Sequence, residues 1–233
     1  MREKRDYEGN EVVASNGAYS KGLHKLEDLA DKSVAISQLG SSFHYQLGQI
    51  ARAKRFDLAG ILLKPLHSPD AMASAVAAGQ VDAAILPAQY ARELLAASQA
   101  KLIGWYSELD EQQLGALFAS AKTLATRRAT VEKFVRAYRR GAADYAAALL
   151  RHERYGKRVS DAKSREATTI IARYVYPGQS SGIATVEASA YFMDPQARLD
   201  FADIARQVEW YQAQGLVDKS VDARNVVDLT YIK

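Results

Sequence analysis

Residues 26–90 decide the fold: LEDLADKSVAISQLGSSFHY over Leu26–Tyr45, ILLKPLHSPDAM over Ile61–Met72, and AVAAGQVDAAILPAQY over Ala75–Tyr90. Short apolar runs alternate here with helical patterns, and the junctions carry small, polar or proline residues. Val34–Ser37 reads as a strand. Gly40-Ser41-Ser42 then opens a helix in which Phe43, Leu47, Ile50 and Ala51 recur at the helical period. Ile61–Leu66 reads as a buried strand ending near Pro65. At Ser68-Pro69-Asp70 a helix starts: serine accepts from backbone N–H groups, proline fits the first turn and aspartate complements the dipole. Gly79 stops that helix. Val81–Leu86 is the next strand, Pro87–Ala97 a helix and Leu102–Tyr106 a further strand. Strands separated by helical crossovers of about twenty residues pair in parallel, so the pattern predicts a doubly wound, mostly parallel α/β sheet.

Working outward, Glu11–Ser15 (EVVAS) is a β-branched run that reads as a strand, and Lys21–Leu29 as a turn followed by a short helix. After Leu109 the texture changes. Gln113–Ala119 (QLGALFA) reads as one more strand, and helices follow. In Thr130–Leu149 the residues Val131, Phe134, Val135, Tyr138, Ala142, Tyr145 and Leu149 form one apolar stripe opposite Lys133, Arg136 and Arg140. Ser164–Tyr174 reads as helical and Pro177–Gly182 as a loop. Asp194-Pro195 reads as the start of a helical stretch that runs to Gly215, with Phe201, Ile204, Val208 and Tyr211 on its apolar face. The switch from alternating α/β to mostly α places a boundary near residue 112.

At 233 residues the chain can bury a sizeable core as one large domain or two small ones. It has no cysteine, which excludes disulfides, thiolate metal sites and cysteine nucleophiles. The opening MREKRDYEGNEVV is charged and has no apolar core, so it does not read as a secretory signal. No apolar run approaches the roughly 18–20 residues that span a bilayer. Net charge is +4, concentrated between Lys122 and Arg165 at Arg127, Arg128, Lys133, Arg136, Arg139, Arg140, Arg151, Arg154, Lys157 and Arg158. With no nucleic-acid motif beside it, this run reads as a solvated helix face and a basic loop rather than a nucleic-acid footprint. Its field would attract anionic solutes.

Four histidines (His24, His44, His67 and His152) show no metal-ligand spacing, and GxSxG, GxxxxGK[ST] and GxGxxG are absent. Gly178-Gln179-Ser180-Ser181-Gly182 lacks both the glycine spacing and the following Lys-Ser/Thr of a nucleotide loop. The expectation is therefore no enzyme, no cofactor and no metal.

The wording of several segments resembles the solute-binding proteins of ABC importers, in the branch that captures sulfonates, taurine, nitrate and thiamine-precursor pyrimidines. Asp28-Leu29 with Lys32-Ser33-Val34-Ala35-Ile36 is similar to a DL-x-GK-x-(V/I)-A-V run. Gly40-Ser41-Ser42-Phe43-His44-Tyr45 is similar to a GS-S-x-x-(H/Y) helix opening, and Ala75–Ala83 to A-x-x-(A/S)G-x-VDA. Trp210–Val217 and Asn225–Asp228 look like the tail of such proteins. The resemblance implies a type II periplasmic-binding-protein-like fold. Lobe two would span 16–112, with 1–15 and 113–233 as hinge strands plus the helix-rich C-terminal part of lobe one. It also implies hinge closure on a small anionic solute, delivery to ABC permease membrane subunits, a monomer without nucleic-acid partners, and a periplasmic full-length parent. Those proteins carry a further segment that supplies the start of lobe one. A trimmed chain, a start placed too late and a decayed gene all fit its absence from this sequence. Pyrimidine synthases in the same family use a cysteine-rich motif with iron, which zero cysteines disfavour. A sensing or interaction module reusing the fold remains the other alternative.

Ser41 and Ser42 follow a strand at a helix N-terminus, where free N–H groups and the dipole favour an anion; an ordinary helix cap is the structural alternative. His44 falls in the first turn, within reach of a cleft, or is a capping-region histidine. Gln89 and Tyr90 follow a strand at the carboxyl edge of the sheet, where open α/β sheets bind ligands, or are simply the start of a helix. Trp105 sits near the interlobe crossing, as a cleft wall or as core. Asp82 reads as structural.

Overall fold

The computed structural model describes residues 1–152 and 158–231; Arg154 and Lys157 of the basic run lie outside the described residues. The chain divides into two units, Glu3–Glu111 and Met1–Arg2 with Gln112–Lys233. A two-residue strand, β1 (Arg2–Glu3), stands at the first passage between them.

The unit Glu3–Glu111 runs β2 (Asn10–Ser15), α1 (Asn16–Ser20), β3 (Ser33–Ile36), α2 (Ser42–Lys54), β4 (Leu62–Pro65), α3 (Pro69–Ala77), β5 (Ala83–Pro87), α4 (Ala88–Ala96) and β6 (Ala100–Trp105). Its five-stranded sheet has the order β4-β3-β5-β2-β6. β3 is parallel to β4 and β5, while β2 is antiparallel to β5 and β6. Four strands thus share one direction and β2 runs against them, which makes the sheet mostly parallel, as the alternation predicts.

The strand Glu11–Ser15, expected among the hinge strands of the other lobe, is instead the inside of this sheet. Val12 faces Ile85 and Val13 faces Ala84, and every residue of β2 is buried. A run apolar on both faces needs a flanked position. Ile61–Leu66, expected to be buried, forms the sheet edge, with Leu62 56% exposed. An apolar run does not itself say whether one neighbour or two will pair with it. The core is continuous and includes Leu29, Val34, Ile36, Leu47, Ile50 and Met72. Each such side chain contributes about 1.5–3 kcal/mol by leaving water. Asp82 is structural, as read. Its Oδ2 accepts from the Ser33 N–H at 2.8 Å and the Ser33 hydroxyl at 2.7 Å, fastening β3 to the turn before β5.

The second passage carries β7 (Gln112–Gln113), which pairs with β1. The unit Met1–Arg2 with Gln112–Lys233 continues as α5 (Ala121–Thr126), α6 (Arg128–Leu149), α7 (Ala162–Val175), α8 (Gly182–Ala188), α9 (Phe201–Ala213) and α10 (Ala223–Val226). Its core is small: Ala148, Leu149, Ala172, Val186 and Ala190, with Tyr145, Ala167, Ile171 and Tyr176 packed against them.

Buried Asp203 on α9 holds the start of this unit. Its carboxylate accepts from the Gln113 N–H at 2.6 Å, from Gln207 at 2.7 Å and from Arg206 at 2.8 Å. Three readings change here. The strand expected over Gln113–Ala119 ends at Gln113, because pairing needs a neighbouring strand that periodicity alone does not supply. The loop Pro177–Gly182 leads into the unexpected α8, where a Cβ on Gly182 would stand 2.9 Å from that of Tyr176. The helix expected from Asp194-Pro195 starts at Phe201, capped by Asp200. Asp194 instead binds Arg198 at 3.0 Å, and Ala197 in the left-handed region (φ 54°) ends that turn.

Candidate functional site

In the unit Glu3–Glu111 the parallel strands β3, β4 and β5 and the like-directed β6 all end at one edge of the sheet, where β2 begins. Helices α2, α3 and α4 start at that edge, with Ser41, Ser68 and Pro87 at their caps. Each start gathers backbone N–H groups and the positive end of a helix dipole. Three on one edge of an open α/β sheet favour a small anion.

Ser41 Oγ accepts from the His44 N–H at 3.3 Å and caps α2. Ser42, half-buried, is the first residue of the helix. His44 is buried, and its Nδ1 accepts from the Gly40 N–H at 3.1 Å, which pins the turn where Gly40 adopts φ 77°. Accepting at Nδ1 places the proton of the neutral ring on Nε2. Burial lowers the pKa of the ring, so it stays neutral near pH 7. His44 thus shapes the loop through Nδ1.

Gln89, in the first turn of α4, has its Oε1 buried with no hydrogen-bond partner. The Tyr90 hydroxyl donates to Asp70 at 3.4 Å, and its ring packs on the core. Trp105 ends β6, with the Arg92 guanidinium 5.9 Å above its ring. Arg92, one turn along α4 from Gln89, thus ties that helix to Trp105 at the end of β6. Ser41, Ser42 and His44 lie together one strand away, because β3 and β5 are adjacent.

Sequence reading missed Arg92, whose Nη1 donates to Glu8 at 3.1 Å and whose Nε donates to Glu11 at 3.3 Å. Its only local signal is the three-residue step from Gln89. Glu11 is 1% exposed and its Oε2 has no partner; burial raises its pKa, against the lowering effect of Arg92. A second missed group begins at β1. Glu3 is fully buried, and its Oε1 accepts from the Asn10 N–H at 2.9 Å and from Gln46 at 3.5 Å. Asn10 Nδ2 in turn donates to Gln46 at 2.8 Å. Desolvation pushes the Glu3 carboxyl up to about 7, opposed by the bonds from Asn10 and Gln46. Gly9 permits this packing, since a Cβ there would meet Glu3 Oε2 at 1.9 Å.

Among the described residues no group of three or more His, Asp or Glu side chains has a metal-binding arrangement. No helix among them is long and apolar enough to cross a membrane.

Residues 13–148 match the family model described as NMT1/THI5 like, which is more than half of the chain. The chain belongs to that family. No curated protein matches it. Among solved structures, the alkanesulfonate-binding protein SsuA from Xanthomonas axonopodis pv. citri, bound to MOPS, aligns with TM-score 0.68 and 19% identity over 97% of this chain and 71% of its own. The periplasmic aliphatic sulphonate binding protein SsuA from Escherichia coli aligns with TM-score 0.66 and 16% identity, over 98% of this chain and 67% of its own. The desulfurization enzyme DSZB aligns with TM-score 0.50 and 14% identity, over 97% and 75%. At these identities the likeness is one of fold: periplasmic-binding-protein-like, mixed α/β. The chain spans about two thirds of the length of the sulfonate-binding structures.

Proposed function

We propose that this member of the NMT1/THI5-like family is the solute-capturing component of an ABC importer. It would bind a small anion of the sulfonate, taurine or nitrate type at the carboxyl edge of the sheet in Glu3–Glu111. The observation that carries this reading is the convergence of α2, α3 and α4 on that edge, beside Arg92 stacked over Trp105. Helix dipoles and N–H groups supply attraction without chemistry, and Arg92 supplies a planar cation that matches an oxyanion head group. Ser41 and Ser42 border the α2 start, while Gln89 and Tyr90 border the α4 start. Capture would shift an opening and closing equilibrium by the differential affinity of the solute for the closed state. The working form would be a periplasmic monomer that hands its solute to permease subunits in the membrane.

Thermal unfolding with millimolar taurine, alkanesulfonates, nitrate and a hydroxymethylpyrimidine tests this. At a hundredfold excess over Kd a bound solute adds about 2.7 kcal/mol, roughly 5–10 °C at this chain length. A shift with one solute class, lost in Arg92→Gln, identifies the ligand and its edge. A cooperative melt moved by none removes capture by this chain alone. The likeness to a desulfurization enzyme supports a second reading, sulfur removal from a similar solute. Release of sulfite from biphenyl-2-sulfinate incubated with the chain, with water supplying the third sulfite oxygen and the proton that replaces sulfur on the ring carbon, would favour it over capture.

A further inference from the structure

We propose that the solvent face of α6 formed by Lys133, Arg136 and Arg140 docks on an anionic phospholipid bilayer surface. Lys122 and Arg127, just ahead of the helix, widen the contact.

The sequence gathers positive charge here against the energetics of its own helix. From Lys122 to Arg140 there are seven Lys and Arg and one acidic residue, Glu132. Lys133 and Arg136 stand three apart, and Arg136 and Arg140 four apart, spacings at which like charges repel along a helix surface. Arg127 and Arg128 open the helix, whose first turn holds no acidic side chain. Cations suit the other end of a helix dipole. The short helix α5 begins the same way, with Lys122 in its first turn and no acid beside it.

Packing inside the fold does not account for these charges. The apolar stripe of α6 turns the other way, with Ala142 and Leu149 buried and Phe134 57% exposed. Lys133, Arg136 and Arg140 share the opposite side, and all three are exposed, as are Lys122 and Arg127. Among the described residues none of these five side chains has a hydrogen-bond or ion-pair partner. Arg128 does have one: it lies 3.2 Å from Glu132 and also sits over the Tyr231 ring. The one acid of the stretch is thereby taken. A helix face patterned for water alternates the sign of its charges; this one carries a single sign.

The shape of the face selects the partner. Exposed Ala129, Ala137 and Ala143 lie between and beside the cations, so the charged heads are what projects. Lys133 to Arg140 covers two turns, about 10 Å of helix. A level row of cations responds to charge density rather than to the outline of a ligand, and a plane of anionic headgroups supplies charge density. Single-stranded nucleic acid is held by cations interleaved with stacking aromatics, whereas Phe134 and Tyr138 belong to the opposite stripe.

The test is cosedimentation of the chain with vesicles of phosphatidylglycerol and phosphatidylcholine in equal parts, against vesicles of phosphatidylcholine alone. We expect at least about tenfold tighter binding to the anionic vesicles in about 50 mM salt, lost in about 500 mM salt. Lys133→Glu, Arg136→Glu and Arg140→Glu together should abolish it without lowering the urea midpoint, because these side chains hold nothing within the fold. Glutamine at the three positions serves if that variant does not fold. Lys21→Glu, Arg52→Glu and Lys101→Glu change the net charge equally at exposed positions of the unit Glu3–Glu111 and should leave most of the binding. Equal loss in the two triple variants would assign the effect to net charge and overturns the proposal, as does equal binding to both kinds of vesicle. Tighter binding to a short DNA duplex than to anionic vesicles at the same salt makes nucleic acid the partner, and overturns it too. No readout involves solute, so the result stands apart from solute capture.

Discussion

The two units bury apolar surface very differently. In Glu3–Glu111 the inner strands β2, β3 and β5 are buried along nearly their whole length, and Leu29, Val34, Ile36, Leu47, Ile50, Met72 and Ile85 are fully out of water. In Gln112–Lys233 the buried cluster is three alanines, a valine and a leucine, while Phe118, Tyr174, Val175 and Phe134 stand more than half exposed. Charge divides the same way. The first unit has 11 Lys and Arg against 14 Asp and Glu, the second 20 against 13. A closed core fixes its own side chains; a half-core leaves large apolar residues facing water until something covers them.

The contrast breaks most visibly under core truncation. Ile85→Ala or Leu47→Ala should cost about 2–5 kcal/mol and drop the urea midpoint sharply. Phe134→Ala in this chain should stay within about 0.5 kcal/mol, because the ring is already half in solvent. Equal losses at the two sites would mean that the Phe134 ring is covered.

Next in size is the pH response of Glu3. Its carboxyl titrates at about 7 in the fold against an ordinary value of 4.5, so the unfolded chain releases that proton first as pH rises. The stability tied to the protonated group is fully present below about 4.5 and is lost as pH rises through about 7. The loss is on the order of 3 kcal/mol. Glu11, raised in the same direction by burial, adds to it. Urea midpoints should fall from pH 5 to pH 7.5, and Glu3→Gln should remove most of that slope. A wild-type midpoint flat over this range would rule the buried acid out as a pH-sensitive group.

Asp82→Asn weakens the clamp on Ser33 and should cost about 1–3 kcal/mol, seen as faster hydrogen exchange along β3 and β4. Smallest is Ser41→Ala. As a helix cap it should cost about 1 kcal/mol whether or not solute is present. If the alanine variant instead keeps its stability and loses a solute-induced shift in Tm, Ser41 is a ligand contact more than a cap.

The same contrast explains what could be read in advance. β3, α2, α3, β5, α4 and β6 lie where periodicity, caps and stop signals put them, because each is coded within a dozen residues. The Ser41 and Ser68 caps were legible for that reason. Arg92 was not, since its partners Glu8 and Glu11 lie 84 and 81 residues away. Neither was Glu3, whose pKa depends on Asn10 and Gln46 closing over it. In the second unit Gln113–Ala119 has strand wording without a strand partner, and Asp194-Pro195 looked like a cap although Asp200 holds that position.

By itself the sequence determined the alternating α/β order of residues 33–105, the switch to helices after residue 112 and the absence of cysteine chemistry. Those depend on local periods and on composition. Only the tertiary structure decided that Asn10–Ser15 runs antiparallel inside the sheet, that His44 spends Nδ1 on its own loop and that the α6 stripe is half covered. Each of these depends on which distant segment arrives as a neighbour, and burial, pKa and strand pairing are properties of neighbours.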